Sequence, residues 1–158
     1  MFAPSLTTEL SQGDIVDDIE ITEAFSTPPS SLERVVVVTN DCDIDKRSQD
    51  ILLVARVWPI DRVEEQNKGL AGSIRKGRVA AAMLLGPHPD LPESFVDFRF
   101  LFRVPRDACM EAMNRGRRLA SMSEDGRLAV LARLYSYFAR RNEPGRPVAN
   151  ATTAPPTA

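Results

Sequence analysis

Apolar residues recur along this chain mainly at every second position or in short unbroken runs, which is the period of β-structure. The clearest stretch alternates Val96, Phe98, Phe100, Phe102 and Val104 with Asp97, Arg99, Leu101 and Arg103. That pattern predicts a strand with one apolar face. Val35 to Val38 is a run of four valines leading into Thr39 and Asn40. It predicts a strand over 34–39 buried on both faces, because β-branched residues suit a doubly covered strand. Further strands are expected from Gly13 to Ile21, from Ile51 to Trp58, where Pro59 stops the run, and from Val79 to Leu85.

The pattern changes near the C-terminus. Leu128, Leu131, Leu134, Tyr135 and Phe138 fall on one side of a helical wheel, so an amphipathic helix is expected to bury that stripe. Ser121 or Ser123 can cap it, and Glu124 and Asp125 suit its positive end. Shorter helices are expected within 61–76 and from Asp107 to Arg115. Three prolines in Pro87–Pro92 demand a loop, as does Ser26–Ser31. The fold class expected is α+β: a five-stranded, mostly antiparallel SH3-like barrel closed by two C-terminal helices. One domain should span 10–142, with a flexible entry at 1–9 and a disordered tail over 143–158.

Charge adds an asymmetry. The net charge is −2, yet residues 1–98 carry 9 basic and 17 acidic side chains and residues 99–158 carry 11 and 5. The acidic half could simply hold the basic half, or the basic half could face an acidic partner or nucleic acid. No apolar run is long enough to cross a membrane, and no basic-then-apolar leader opens the chain, so a cytoplasmic protein without membrane contact is expected. Two cysteines give neither a disulfide framework nor a zinc-ligand spacing.

Candidate chemistry gathers where the valine strand ends. Asp41, Asp43 and Asp45 alternate there, with Cys42 between the first two. Lys46 and Leu52 occupy the places where a calcium loop of this spacing needs Gly and Glu, which removes that reading. No metal and no cofactor are expected. If the chain is an enzyme, Thr39, Asp41, Cys42 and Asp43 are the catalytic candidates. A thiol nucleophile would need a base, and His88 is the single histidine. Arg127 lies on the apolar side of the last helix, where a guanidinium needs a carboxylate. Asp43 and Asp97 are the partners expected for it. Arg133 and Arg140 should occupy the solvent face, and with Arg115, Arg117 and Arg118 they make the basic surface that nucleic acid would use.

The order Gly13-Asp14-Ile15, Val35–Asn40 into Cys42-Asp43-Ile44, Val96-Asp97-Phe98-Arg99 and Ser121–Arg127 resembles a family of small uncharacterised bacterial proteins. The opening also resembles the PemK/MazF toxins, which implies a strongly bent SH3-like barrel. That resemblance implies an RNA-cleaving role for Thr39, while Arg34 stands at the other end of its strand from the arginine of those toxins. Asp97, Arg99, Arg127, Arg133 and Arg140 are the candidate binding residues. The leading expectation is a non-enzymatic binding or adaptor module with a protein partner, in a defence or toxin–antitoxin type operon. The alternatives are an RNA- or phosphoester-cleaving enzyme centred on Thr39–Asp43, and a nucleic-acid-binding protein that uses the arginine-rich C-terminal helices.

Overall fold

A computed structural model describes residues 1–22, 30–45 and 50–141. The expected disordered tail, the turn residues 46–49 and the loop residues 26–29 lie outside the described residues. In chain order the elements are β1 (Asp14–Thr22), β2 (Ser30–Val37), α1 (Asp41–Ile44), β3 (Ile51–Pro59), α2 (Ile60–Gln66), α3 (Lys68–Arg75), β4 (Ala82–Leu84), β5 (Ser94–Pro105), α4 (Arg106–Asn114), β6 (Arg118–Ser121) and α5 (Glu124–Arg141).

The strands form one antiparallel sheet in the order β4-β5-β3-β2-β1-β6. This corrects the expected five-stranded barrel in two ways: there are six strands, and the sheet is not closed. The sixth strand is the four-residue Arg-Leu-Ala-Ser at 118–121, too short to show a period of its own. The edge strand β4 has only three residues, and α5 binds its first carbonyl and two in the segment before it. Arg133 of α5 donates to the carbonyls of Gly77, Val79 and Ala82 at 2.9, 2.7 and 3.3 Å. At the other edge, Phe2 bridges to Met122 and Ala3 N donates to Ser121 O.

The valine run is buried on both faces. Val35 and Val37 join a core with Val16, Ile19, Leu52, Val54 and the α4 residues Cys109 and Ala112. Val36 and Val38 join a second core with Ile15, Val57, Val96 and Phe98 under α5. At about 1.5–3 kcal/mol per fully buried valine, this run is a large part of what fixes the sheet centre.

One irregularity shapes the rest. In the β3–β5 pairing, Ala55 faces Leu101, while Arg56 faces Asp97. Residues 98–100 are therefore extra on β5, a bulge of three. Because side chains alternate, an odd insertion exchanges the faces of the strand on either side of it. Phe102 and Val104 consequently pack on the first core, and Val96 and Phe98 on the second, although all four share one parity in the sequence.

Candidate functional site

The seam at the end of β2 is held by a compact set of bonds. The expected acidic turn is instead a single helical turn, α1, entered through Asn40. Arg127 Nη1 lies 2.6 Å from Asp41 Oδ2. The other oxygen of Asp41 accepts from Gln12 N at 2.5 Å. The Gln12 amide donates to Val38 O at 2.6 Å and to Asn40 Oδ1 at 3.1 Å. The partner of Arg127 is therefore Asp41, and neither Asp43 nor Asp97. Gly13 makes this approach feasible. Its φ is +85°, and a Cβ there would lie 2.8 Å from Arg127 Cγ and 2.9 Å from Met122 Cβ.

Thr39 and Arg34 each have a partner of their own. Thr39 Oγ1 accepts from Leu53 N at 2.7 Å, which splices β2 onto β3. Arg34 pairs with Asp17 at 2.8 Å and lies five residues from Thr39, about 16 Å along an extended strand. Cys42 is an exposed free thiol. His88 stacks edge-on with Phe2 at 4.9 Å and accepts from Asp90 N, so its ring serves the Pro87–Pro92 loop. Asp43 is half-buried in the same turn. Among the described residues, no three His, Cys, Asp or Glu side chains are grouped to hold a metal ion.

The expected basic surface is divided among internal partners. Arg118 is 9% exposed, reaches Asp14 at 3.1 Å and donates to the carbonyls of Glu9 and Thr7. Arg117 pairs with Asp18 at 2.8 Å, and Arg115 lies 3.9 Å from Glu111. Arg133 was expected to face solvent, but it is turned onto the carbonyls of Gly77, Val79 and Ala82. The side chain of Arg140 lies outside the described residues. The apolar stripe of α5 also sits differently. Val130, Leu131, Leu134 and Tyr137 pack on the second core, whereas Leu128 and Tyr135 are 58% and 77% exposed.

A different site emerges beside the three-residue bulge. An open cavity of about 320 Å³ lies between β3, β5, α2 and α3. Trp58, Phe95, Phe100 and Leu70 give it apolar walls; Arg62, Arg99, Gln66, Asn67 and Asp97 give it polar ones. Arg62 Cζ stands 4.4 Å from the Trp58 ring, and Arg99 Cζ stands 5.7 Å from the Phe100 ring. Behind them Arg56, only 6% exposed, lies about equally over Trp58, Phe100 and Phe102 at 4.9, 5.0 and 4.9 Å, with Glu33 at 3.3 Å. Guanidinium–ring contacts are worth about 0.5–2 kcal/mol each, with the buried Arg56 at the upper end.

Asp97 holds the bulge in shape. Its carboxylate is 1% exposed, accepts from Arg99 N at 3.1 Å, and forms a two-pronged pair with the Arg99 guanidinium at 2.9 and 2.6 Å. That hydrogen-bonded carboxylate raises the pKa of Arg99 above its ordinary value, against the opposing effect of burial. On the far side of α3, Arg75 bridges Glu93 and Glu64 at 2.8 and 2.7 Å, tying α2 and α3 to the start of β5. Of the expected binding residues, Asp97 and Arg99 therefore meet at one cavity, while Arg127 and Arg133 serve other places. Arg56, Trp58, Arg62 and Phe100 were missed. The signal for Arg56 was there to read, since an arginine inside the run Leu52–Trp58 has no solvent face to occupy.

No family model matches the chain, and no curated protein matches it. Among solved structures, a mycobacterial endoribonuclease, described in complex with its cognate antitoxin, is similar at a TM-score of 0.49 with 10% identity. The match covers 88% of this chain and 100% of that one. At this level of identity no side-chain correspondence follows.

Proposed function

We propose that this chain is a non-enzymatic binding module that holds single-stranded nucleic acid in the Trp58–Phe100 cleft. The observation that carries the reading is an open cavity in which two aromatic rings are covered by the guanidinium groups of Arg62 and Arg99, planes on which a base can also stack. An unpaired base stacks on such a ring at about 1–3 kcal/mol, and arginines beside it meet the phosphates. Gln66 adds an amide that both donates and accepts, the group that reads a base edge. A duplex hides its base faces, so the cleft suits a single strand.

The non-enzymatic part is supported by the seam. The Thr39 hydroxyl is taken by the Leu53 amide, and both oxygens of Asp41 are taken by Arg127 and Gln12. A reaction using the Asp41 carboxylate as a base would compete with those bonds.

Trp58 is the only tryptophan in the chain, so its fluorescence reports on the cleft directly. Titration with a mixed-sequence single-stranded RNA of about twelve nucleotides, spanning more than one stacking site, should quench that emission. Arg62→Ala should weaken binding about tenfold, and affinity should fall with salt. The oligonucleotide should be recovered intact. Unchanged emission at low salt would refute the binding reading. Cut RNA would instead establish the enzymatic alternative, provided that Thr39→Val abolished the cutting.

A further inference from the structure

Arg99 has donors left over. A guanidinium carries its N–H groups in a rigid plane, with two edges that can each hold a pair of acceptors. The inner edge, Nε and Nη2, is spent on Asp97 at 2.9 and 2.6 Å. The outer edge, Nη1 with the second hydrogen of Nη2, bonds to no described residue. The side chain is 58% exposed and lines the Trp58–Phe100 cavity. Asp97 is buried, so the carboxylate that grips the inner edge is itself held in place. Phe100, with its ring 5.7 Å from Cζ, supports the plane. The outer edge is thus a fork fixed in one orientation at an open cleft.

We propose that this fork selects guanine, donating to O6 and N7 of one base in the strand that the cleft holds. The inference rests on the single-strand reading above and adds the identity of a base. Charge decides between base and phosphate. Asp97 cancels the charge of Arg99, so the pair offers directed donors with little net field, which suits a neutral base edge. Arg62 lies on the Trp58 ring at 4.4 Å, pairs with no carboxylate among the described residues, and keeps its charge for phosphate. Hydrogen-bond direction decides among the bases, because two neighbouring donors need two neighbouring acceptors. Guanine presents O6 and N7 side by side, the commonest specific partner of an arginine fork. Adenine keeps N7 but carries the N6 amino group where O6 would be, so donor meets donor. Uracil offers O4 alone on that edge, and cytosine offers its N4 amino group. Cytosine does have neighbouring acceptors, N3 and O2, on its other edge, which makes it the competitor to test.

Oligouridines of about twelve nucleotides, carrying a single central guanosine, adenosine, cytidine or uridine, are titrated against the Trp58 emission of the full chain. The guanosine strand should bind about tenfold tighter than the adenosine strand, as one bidentate pair provides. A strand with 7-deazaguanosine, which has C–H in place of N7, should lose most of that advantage. This comparison changes only the ligand, so it does not depend on how a variant folds. Arg99→Lys keeps a charge but loses the fork, and should bind the four strands alike. Equal affinity for guanosine and adenosine, tighter binding of cytidine, or undiminished affinity for 7-deazaguanosine would each overturn guanine selection and leave the cleft standing. Emission unmoved by every strand at low salt would remove the cleft, and this inference with it.

Discussion

The backbone of Gly13 lies directly under the stem of Arg127, so close that the missing Cβ is what admits the guanidinium to Asp41. A residue at the entry to the first strand thus sets where the last helix sits. Gly13→Ala would add both a left-handed backbone penalty and a clash, about 2–4 kcal/mol together. Chemical denaturation should show that loss. The pair Gly13→Ala and Arg127→Ala should cost about 1 kcal/mol less than the separate losses added, because the second change removes the atoms the first collides with.

Arg127→Ala alone should be milder. The pair with Asp41 is partly solvated, at 29% and 46% side-chain exposure, and such pairs contribute under about 1 kcal/mol. Loss of the stem packed on Gly13 and Met122 adds to it. A total near 1 kcal/mol is expected, and a melting temperature identical to wild type would show that the seam contributes nothing.

Asp97→Asn tests the bulge. The carboxylate is nearly inaccessible, and its partners are the amide and guanidinium of Arg99. An amide there keeps the shape but loses the charge-assisted bonds, at about 1–2 kcal/mol. Because the bulge frames the cleft, the Trp58 emission maximum should shift in the same variant. Normal stability with unaltered emission would mean that residues 98–100 hold their path without this staple.

The two thiols should behave differently. Burial, then the negative charge of Asp14, pushes the Cys109 thiol from its ordinary 9.0 up to about 12, while Cys42 is exposed. A thiol reagent at pH 8 should modify one group rapidly in the native protein and the second only after unfolding. Above pH 9 the unfolded chain releases the Cys109 proton while the folded chain keeps it. Folding stability should therefore fall as pH rises from 9 towards 12, and below 9 this contribution is constant. Cys109→Ala should flatten that slope.

The strands were legible because burial writes itself into alternation and into valine runs. The sixth strand and the open sheet were not, because Arg118–Ser121 is too short to carry a period and nothing in the sequence announces the carbonyl partners of Arg133. The helix α5 was placed well, but its faces were read by hydrophobicity alone. Tyr135 lies on the apolar side of the wheel and still faces solvent. At the seam, the sequence singled out Arg127 and Asp41 separately. Choosing Asp41 over Asp43 required knowing that residues 41–44 form a helical turn. The cleft was hidden for a stricter reason: the bulge at 98–100 interrupts the strand without breaking its alternation of residue types, so nothing in the pattern marks it.

That odd insertion binds the cleft to the packing of the whole protein. Phe100 and Arg99 lie on the insertion itself, where β5 changes the face it turns to each core. On the proposed reading, ligand preference would change on the helical rim, at Arg62, Gln66, Asn67 and Leu70, which line the cavity opposite the sheet. Diversity among relatives of this chain should collect on that rim, while the strand beneath it stays fixed.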